Sequence, residues 1–220
     1  MDDRIRRNTH AATHSRHLVL VSGFPGTGKT LVGLQLAHAR FLDDLSVARG
    51  DSKPTTPAVY LSGNGPLVRV LQYELKSAGG GGAAFVRPIK AYVDRYSRRA
   101  GLVPSEHVLI FDEAQRAFDA DQVAATHAGG GDGKSEPEHF VAFAERIPEW
   151  CVVVGLIGAG QEIHVGEEAG IGQWRTAVEG ATDPNSWTIH VPDHLADEFR
   201  GPTRLRVDRR LHLTVELRYQ

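Results

Sequence analysis

Gly23-Phe24-Pro25-Gly26-Thr27-Gly28-Lys29-Thr30 sets glycines, a lysine and a hydroxyl at the spacing G-x-x-x-x-G-K-[ST]. The apolar run Leu18-Val19-Leu20-Val21 precedes it and a helical periodicity follows, which is the strand–turn–helix setting in which this Walker A pattern holds phosphate. Gly23, Gly26 and Gly28 let backbone N–H groups close around phosphate oxygens that a Cβ would obstruct, with Pro25 and Thr27 completing the loop. A helix beginning near Lys29 points its positive end at the same anion. Lys29 would reach the outer phosphates as a point charge, and the Thr30 hydroxyl would ligate Mg²⁺. The pattern predicts a nucleoside triphosphate site.

Other chemistry falls at strand ends, where open parallel sheets collect ligands. Asp112-Glu113 follows Val108-Leu109-Ile110-Phe111 as a Walker B pair. Asp112 would hold Mg²⁺ through water, and Glu113 is the natural general base for an attacking water. The pair favours hydrolysis over transfer to a small-molecule acceptor. Gln161 follows another buried run, where an amide could touch both the water and the γ-phosphate. Arg218, in Glu216-Leu217-Arg218, could bring a guanidinium to the γ-phosphate, worth about 10³ to 10⁵ in rate where such groups act. Taken alone, it is also an ordinary surface arginine.

The elements that must position these groups alternate between strand and helix. Strands are expected over 18–21, 58–61, 107–111, 150–156 and 187–191, with another in 211–217. Helices are expected over 30–42, after Pro66 through Leu67, Leu71 and Leu75, over the basic segment 85–99, and over 138–146. The glycine run 79–82 reads as a flexible joint and 128–137 as a mobile surface loop. The alternation predicts an α/β fold with a mostly parallel sheet and helices on both faces. Residues 1–16 are polar, basic and aperiodic and read as a flexible arm, leaving 17–220 as one domain. His10, His14 and His17 have helical spacing but no carboxylate or thiol beside them to complete a metal site.

At 220 residues the chain can bury a full α/β core, and 24% charged with 41% hydrophobic residues is ordinary for a water-soluble domain. A net charge of −2 carries no global nucleic-acid signature. Arginines and lysines nonetheless cluster at 87–99 and again at 200–210, where they could meet a phosphate backbone. The single cysteine, Cys151, opens an apolar run and reads as a buried hydrophobe, consistent with a reducing compartment. No secretory leader or membrane span is legible, so the cytoplasm is the expected location and no membrane partner is expected.

Four strings occur in order: the phosphate loop, Val59-Tyr60-Leu61-Ser62-Gly63-Asn64-Gly65-Pro66-Leu67, Phe111-Asp112-Glu113-Ala114-Gln115-Arg116, and Gly160 to Glu168. Together they resemble the Schlafen group 3-like DNA/RNA helicase-domain family, from about Leu18 to Arg218. That family resembles superfamily 1 helicases. The resemblance implies a RecA-like P-loop NTPase domain using ATP and Mg²⁺. By it, Ser62, Gly63 and Asn64 match the segment that touches single-stranded nucleic acid, and Asp112-Glu113 the metal and base motif. Gln161 matches the γ-phosphate sensor and Arg218 the arginine of a later motif. Ala159 stands where such helicases place an aspartate. Helicases of this type carry a second RecA-like domain, and only one fits within this length.

The leading expectation is the N-terminal motor half of an ATP-dependent DNA or RNA enzyme, weakly active alone and completed by a second RecA-like domain in cis or in trans. A nucleotide-dependent switch that holds a partner protein is a second possibility. A small-molecule kinase is a third, with the arginines near 200–210 as a lid.

Overall fold

The computed structural model describes residues 15–39, 42, 57–78, 82–99, 101–126, 132–158, 168–201 and 203–215. Eight strands form one sheet in which every pairing is parallel. They are β1 (Ser15–Gly23), β2 (Ala58–Ser62), β3 (Val86–Pro88), β4 (Val108–Phe111), β5 (Trp150–Gly158), β6 (Trp187–Val191), β7 (Arg204–Val207) and β8 (His212–Leu213). Their order is β3-β2-β4-β5-β1-β6-β7, with β8 beside β1. The helices are α1 (Lys29–Ala37), α2 (Gly65–Ser77), α3 (Gly82–Phe85), α4 (Ile89–Ser97), α5 (Ala120–Thr126), α6 (Glu136–Arg146) and α7 (Glu168–Glu179).

The middle of β1, Leu18 to Val21, is an unbroken apolar run because the strand is central and buried on both faces. It pairs with β5 along its whole length, from Ser15↔Trp150 to Gly23↔Gly158. On its other side β6 pairs only with Arg16 to Val19, and β8 takes over at Ser22 and Gly23. The two-residue period then sorts the core. Leu18, Leu20, Leu61, Leu109, Phe111 and Val153 face one layer, covered by aromatics of α4, α6 and α7. Val19, Val21, Tyr60, Ile110, Val152 and Val154 face the other, with Leu36 and Ala37 of α1 and Val68 of α2. In the first layer Phe111 sets its ring edge-on to Trp174 at 5.2 Å and to Phe140 at 5.1 Å, arrangements that favour the aromatic quadrupoles.

Several expectations need correcting. The segment 85–99 is not one helix: Val86–Pro88 is a short edge strand paired with β2, and α4 starts only after Pro88, whose extended backbone serves as its N-cap. β1 starts at Ser15, so the last two residues of the expected arm belong to the sheet, while residues 1–14 lie outside those described. His17 is therefore in a strand, where its Nδ1 meets His190 Nε2 at 3.1 Å, and the helical spacing of the early histidines has no structural meaning for it. Gly82 is buried at the start of α3, while 79–81 lie outside the described residues. Cys151 is free and buried, as expected.

The end of the expected mobile loop is ordered. Ser135 Oγ accepts from Glu138 N at 3.4 Å, and Glu138 Oε2 accepts from Ser135 N at 2.7 Å, a capping box that starts α6 two residues early. Glu136 follows the cap, buried, with its Oε2 accepting from Phe118 N at 3.0 Å. Burial pushes its carboxyl up from 4.5 to about 7, against the pull of that backbone donor. The folded protein therefore holds a proton there that the unfolded chain has released, and stability falls as pH rises from about 4.5 to 7. Glu136→Gln keeps an acceptor for Phe118 and cannot ionise. It is expected to match the parent near pH 4 and to exceed it by on the order of 2–3 kcal/mol at pH 8, measured by urea unfolding across that range.

Candidate active site

β1 ends at Gly23, and the chain turns through 24–28 into α1. Gly26 and Gly28 have φ of 89° and 84°, which a side chain would strain, so the turn requires glycine at both. Gly28 is the N-cap of α1 and supplies no side-chain acceptor, so the first N–H groups of α1 open onto the loop. Thr27 braces the turn, donating from Oγ1 to Phe24 O at 2.8 Å. Lys29 folds back over the same turn, donating from Nζ to Gly23 O at 2.8 Å and Phe24 O at 3.1 Å. Backbone donors, a helix N-terminus and an ammonium thus gather at one turn, a combination suited to binding phosphate.

β5 separates β1 from β4, so the acidic turn after β4 emerges ~10 Å from the loop strand, two strand spacings away. Asp112 is buried, and its backbone N donates to Leu61 O at 2.9 Å. Its Oδ2 accepts from Ser62 Oγ at 3.0 Å. Burial raises its carboxyl above the usual range, opposed by the hydroxyls of Tyr60 and Ser62. Tyr60 links the two halves of the site. Its hydroxyl faces both Asp112 and Thr30, is sealed from solvent, and completes a hydrogen bond of ordinary geometry with neither. Burial first and then Asp112 push that phenol well above its ordinary range, so it stays neutral.

Glu113 sits in left-handed backbone, φ 53° and ψ 50°. Its Oε2 accepts from Gln115 Nε2 at 2.5 Å, while Gln115 Oε1 accepts from Gly158 N at 3.1 Å. Gln115 therefore straps the acidic turn to the end of β5. Helix α7 clamps the same turn. Trp174 Nε1 donates to Ala114 O at 2.9 Å, and Gly170 lies so close to the Gln115 carbonyl that a Cβ would collide with it.

The expected site residues divide accordingly. Gly23 through Thr30 form the loop and the first turn of α1, and Asp112 and Glu113 lie at the same edge of the sheet. Ser62 is buried and bonded to Asp112, and its Oγ also accepts from Asn64 N at 3.2 Å. Gly63 and Asn64 are exposed, and Asn64 Oδ1 caps α2 by accepting from Leu67 N at 3.1 Å. Gln161 and Arg218 lie outside the described residues. Motif reading missed Tyr60, the strap role of Gln115 and the clamp by Trp174. Each acts through a partner far along the chain, which local spacing cannot show.

The donor set fits magnesium. Asp112 and Thr30 offer hard oxygens, and both lie beside the same Tyr60 hydroxyl. Among the described residues no group of three or more His, Cys, Asp and Glu could hold a metal by itself. An ion here would keep waters and take phosphate oxygens, as Mg²⁺ does. Part of the basic segment is spent internally: Arg87 bonds the buried Glu106 at 3.0 Å, and Arg98 lies 3.8 Å from Asp94.

These features define an α/β domain of the RecA-like, P-loop kind, its phosphate-loop strand and acidic strand flanking a common neighbour. Residues 16–220 match the family described as Schlafen group 3, DNA/RNA helicase domain, and the chain belongs to that family. No curated protein matches it. Among solved structures it is similar to the flagellar accessory protein FlaH from Methanocaldococcus jannaschii. That match has 16% identity and a TM-score of 0.38, over 80% of this chain and 74% of that one. Among the described residues no helix is long and apolar enough to cross a membrane.

Tyr60→Phe removes the stranded hydroxyl and keeps the ring. It is expected to stabilise the nucleotide-free protein by about 1 kcal/mol in urea titrations. A loss of stability would show that the hydroxyl is bonded in solution.

Proposed function

We propose that this domain binds ATP with Mg²⁺ and hydrolyses it slowly, as the N-terminal RecA-like half of a helicase-like enzyme acting on DNA or RNA. The observation that carries the reading is the uncapped N-terminus of α1, with Lys29 over the loop, at the same sheet edge as Asp112 and Glu113. Lys29 would exchange the Gly23 and Phe24 carbonyls for the outer phosphates, joined by the N–H groups of the loop. Thr30 and Asp112 would hold Mg²⁺, which would supply charge neutralisation to the phosphates. Glu113, fixed by Gln115, would take the proton of the attacking water. Gln161 would sense the γ-phosphate, and Arg218 would add positive charge there.

The family's helicase description supports a nucleic-acid partner. Gly63 and Asn64 are exposed at the carboxyl edge of the sheet, while Ser62 behind them bonds Asp112. A strand passing over Gly63 and Asn64 would lie one hydrogen bond from the proposed metal residue. A second RecA-like domain, in the same polypeptide or another, would close the cleft over the nucleotide and supply the remaining contacts.

ATP turnover and binding, with and without single-stranded DNA and RNA, test this. Glu113→Gln is expected to retain Mg·ATP binding and to lose turnover by about 10²-fold or more, whereas Lys29→Ala is expected to lose the binding. Vigorous turnover indifferent to both polymers would sink the motor-half reading. Tight binding without turnover under any condition would point to a switch instead.

A further inference from the structure

The phosphate loop has two flanks. The acids occupy the flank toward β5 and β4, and β8 occupies the other, paired with Ser22 and Gly23. On that second flank lie three rings. Phe24, inside the loop itself, is 52% exposed. Its ring meets His212 of β8 edge-on, centroids 5.6 Å apart at 76°, and His212 meets His194 at 4.9 Å and 74°. The buried hydroxyl of Ser22 holds His212 Nδ1 at 2.8 Å, which fixes the imidazole plane and leaves Nε2 as its remaining polar edge. His194 is held below the ordinary imidazole range, by burial first and then by His212, so it presents a neutral ring at pH 7.

A large apolar ring on a loop that otherwise handles phosphate calls for a planar, partly apolar neighbour. If the terminal phosphate and metal sit by Thr30 and Asp112, the other end of the nucleotide must leave across the loop, toward β8. We propose that Phe24, with His212 and His194 behind it, is the platform on which the nucleobase stacks, and that it favours purines over pyrimidines. This rests on reading the adjoining loop as a triphosphate site. Stacking energy grows with overlapping ring area, so the bicyclic base gains more. Among the described residues the platform offers ring faces and the edges of two imidazoles, whose donor and acceptor roles exchange between tautomers, so it fixes no pattern that separates adenine from guanine. ATP and GTP should therefore bind alike.

Calorimetry with the magnesium complexes of ATP, GTP, CTP and inorganic tripolyphosphate tests the proposal. The parent is expected to bind both purine nucleotides about tenfold more tightly than CTP. Phe24→Ala is expected to weaken ATP about tenfold and leave tripolyphosphate unchanged, and Phe24→Tyr to restore ATP. Equal weakening of ATP and tripolyphosphate would overturn the proposal, because Phe24 would then be shaping the loop and not holding the base. Unchanged ATP affinity in Phe24→Ala would overturn it as well and assign the ring to some other partner. Failure of the parent to bind either ATP or tripolyphosphate would instead refute the triphosphate site itself.

Discussion

A helix that starts on Gly28 has no side chain to satisfy its first N–H groups, and Asp112 is a carboxylate withdrawn from water at the same edge of the sheet. Holding an electropositive turn and a buried acid at one edge of the sheet is the constraint around which the domain is arranged. Neither group favours folding. Burial raises the Asp112 carboxyl despite the Ser62 and Tyr60 hydroxyls, and the Tyr60 hydroxyl itself stays stranded. Each such unsatisfied group costs about 1–3 kcal/mol, a sizeable fraction of a total stability of about 5–15 kcal/mol. The central strands, buried on both faces, offset that cost with apolar area.

Sheet order turns this constraint into geometry. β5 lies between the loop strand and the acidic strand, so its carboxyl end is the natural place from which to hold both. Gly158 does so, as register partner of Gly23 and as donor to Gln115. From the other layer, α7 reaches the acidic turn through Trp174 and Gly170, one helical turn apart, gripping consecutive carbonyls at Ala114 and Gln115. The aromatic stack of Phe111, Phe140 and Trp174 thus packs the core and also sets the height of the acidic turn above the sheet.

What could be read from the sequence was what is local. The phosphate loop, the buried runs ending in Asp112-Glu113 and Gly158, and the proline-led α2 all carry their causes within a dozen residues. β3 was hidden because three residues cannot display a period of two, and because the helix-like spacing of Tyr92 and Tyr96 continues past it. The start of α6 was hidden by the preceding glycines, although Ser135 and Glu138 carry a capping box in plain view. The partners of Tyr60, Gln115 and Trp174 lie between 30 and 60 positions away, so only the fold reveals their work. Gln161 and Arg218 were marked by their places after apolar runs and by resemblance, and they fall outside the described residues.

Glu113 shows how these layers meet. A non-glycine residue in left-handed backbone costs on the order of 1–3 kcal/mol and persists only where its surroundings over-determine it. Here they do: the turn behind it is clamped by Trp174, and its carboxylate is tied through Gln115 to Gly158. Relaxing Glu113 to ordinary backbone would swing the carboxylate away and break the strap. Its place therefore depends on where β5 ends. Gly158 N holds Gln115 Oε1 and Gln115 Nε2 holds the Glu113 carboxylate, so the two hydrogen bonds run in series from one strand end to the other. The ends of β4 and β5 are thus joined through the side chain of Gln115 as well as through the sheet.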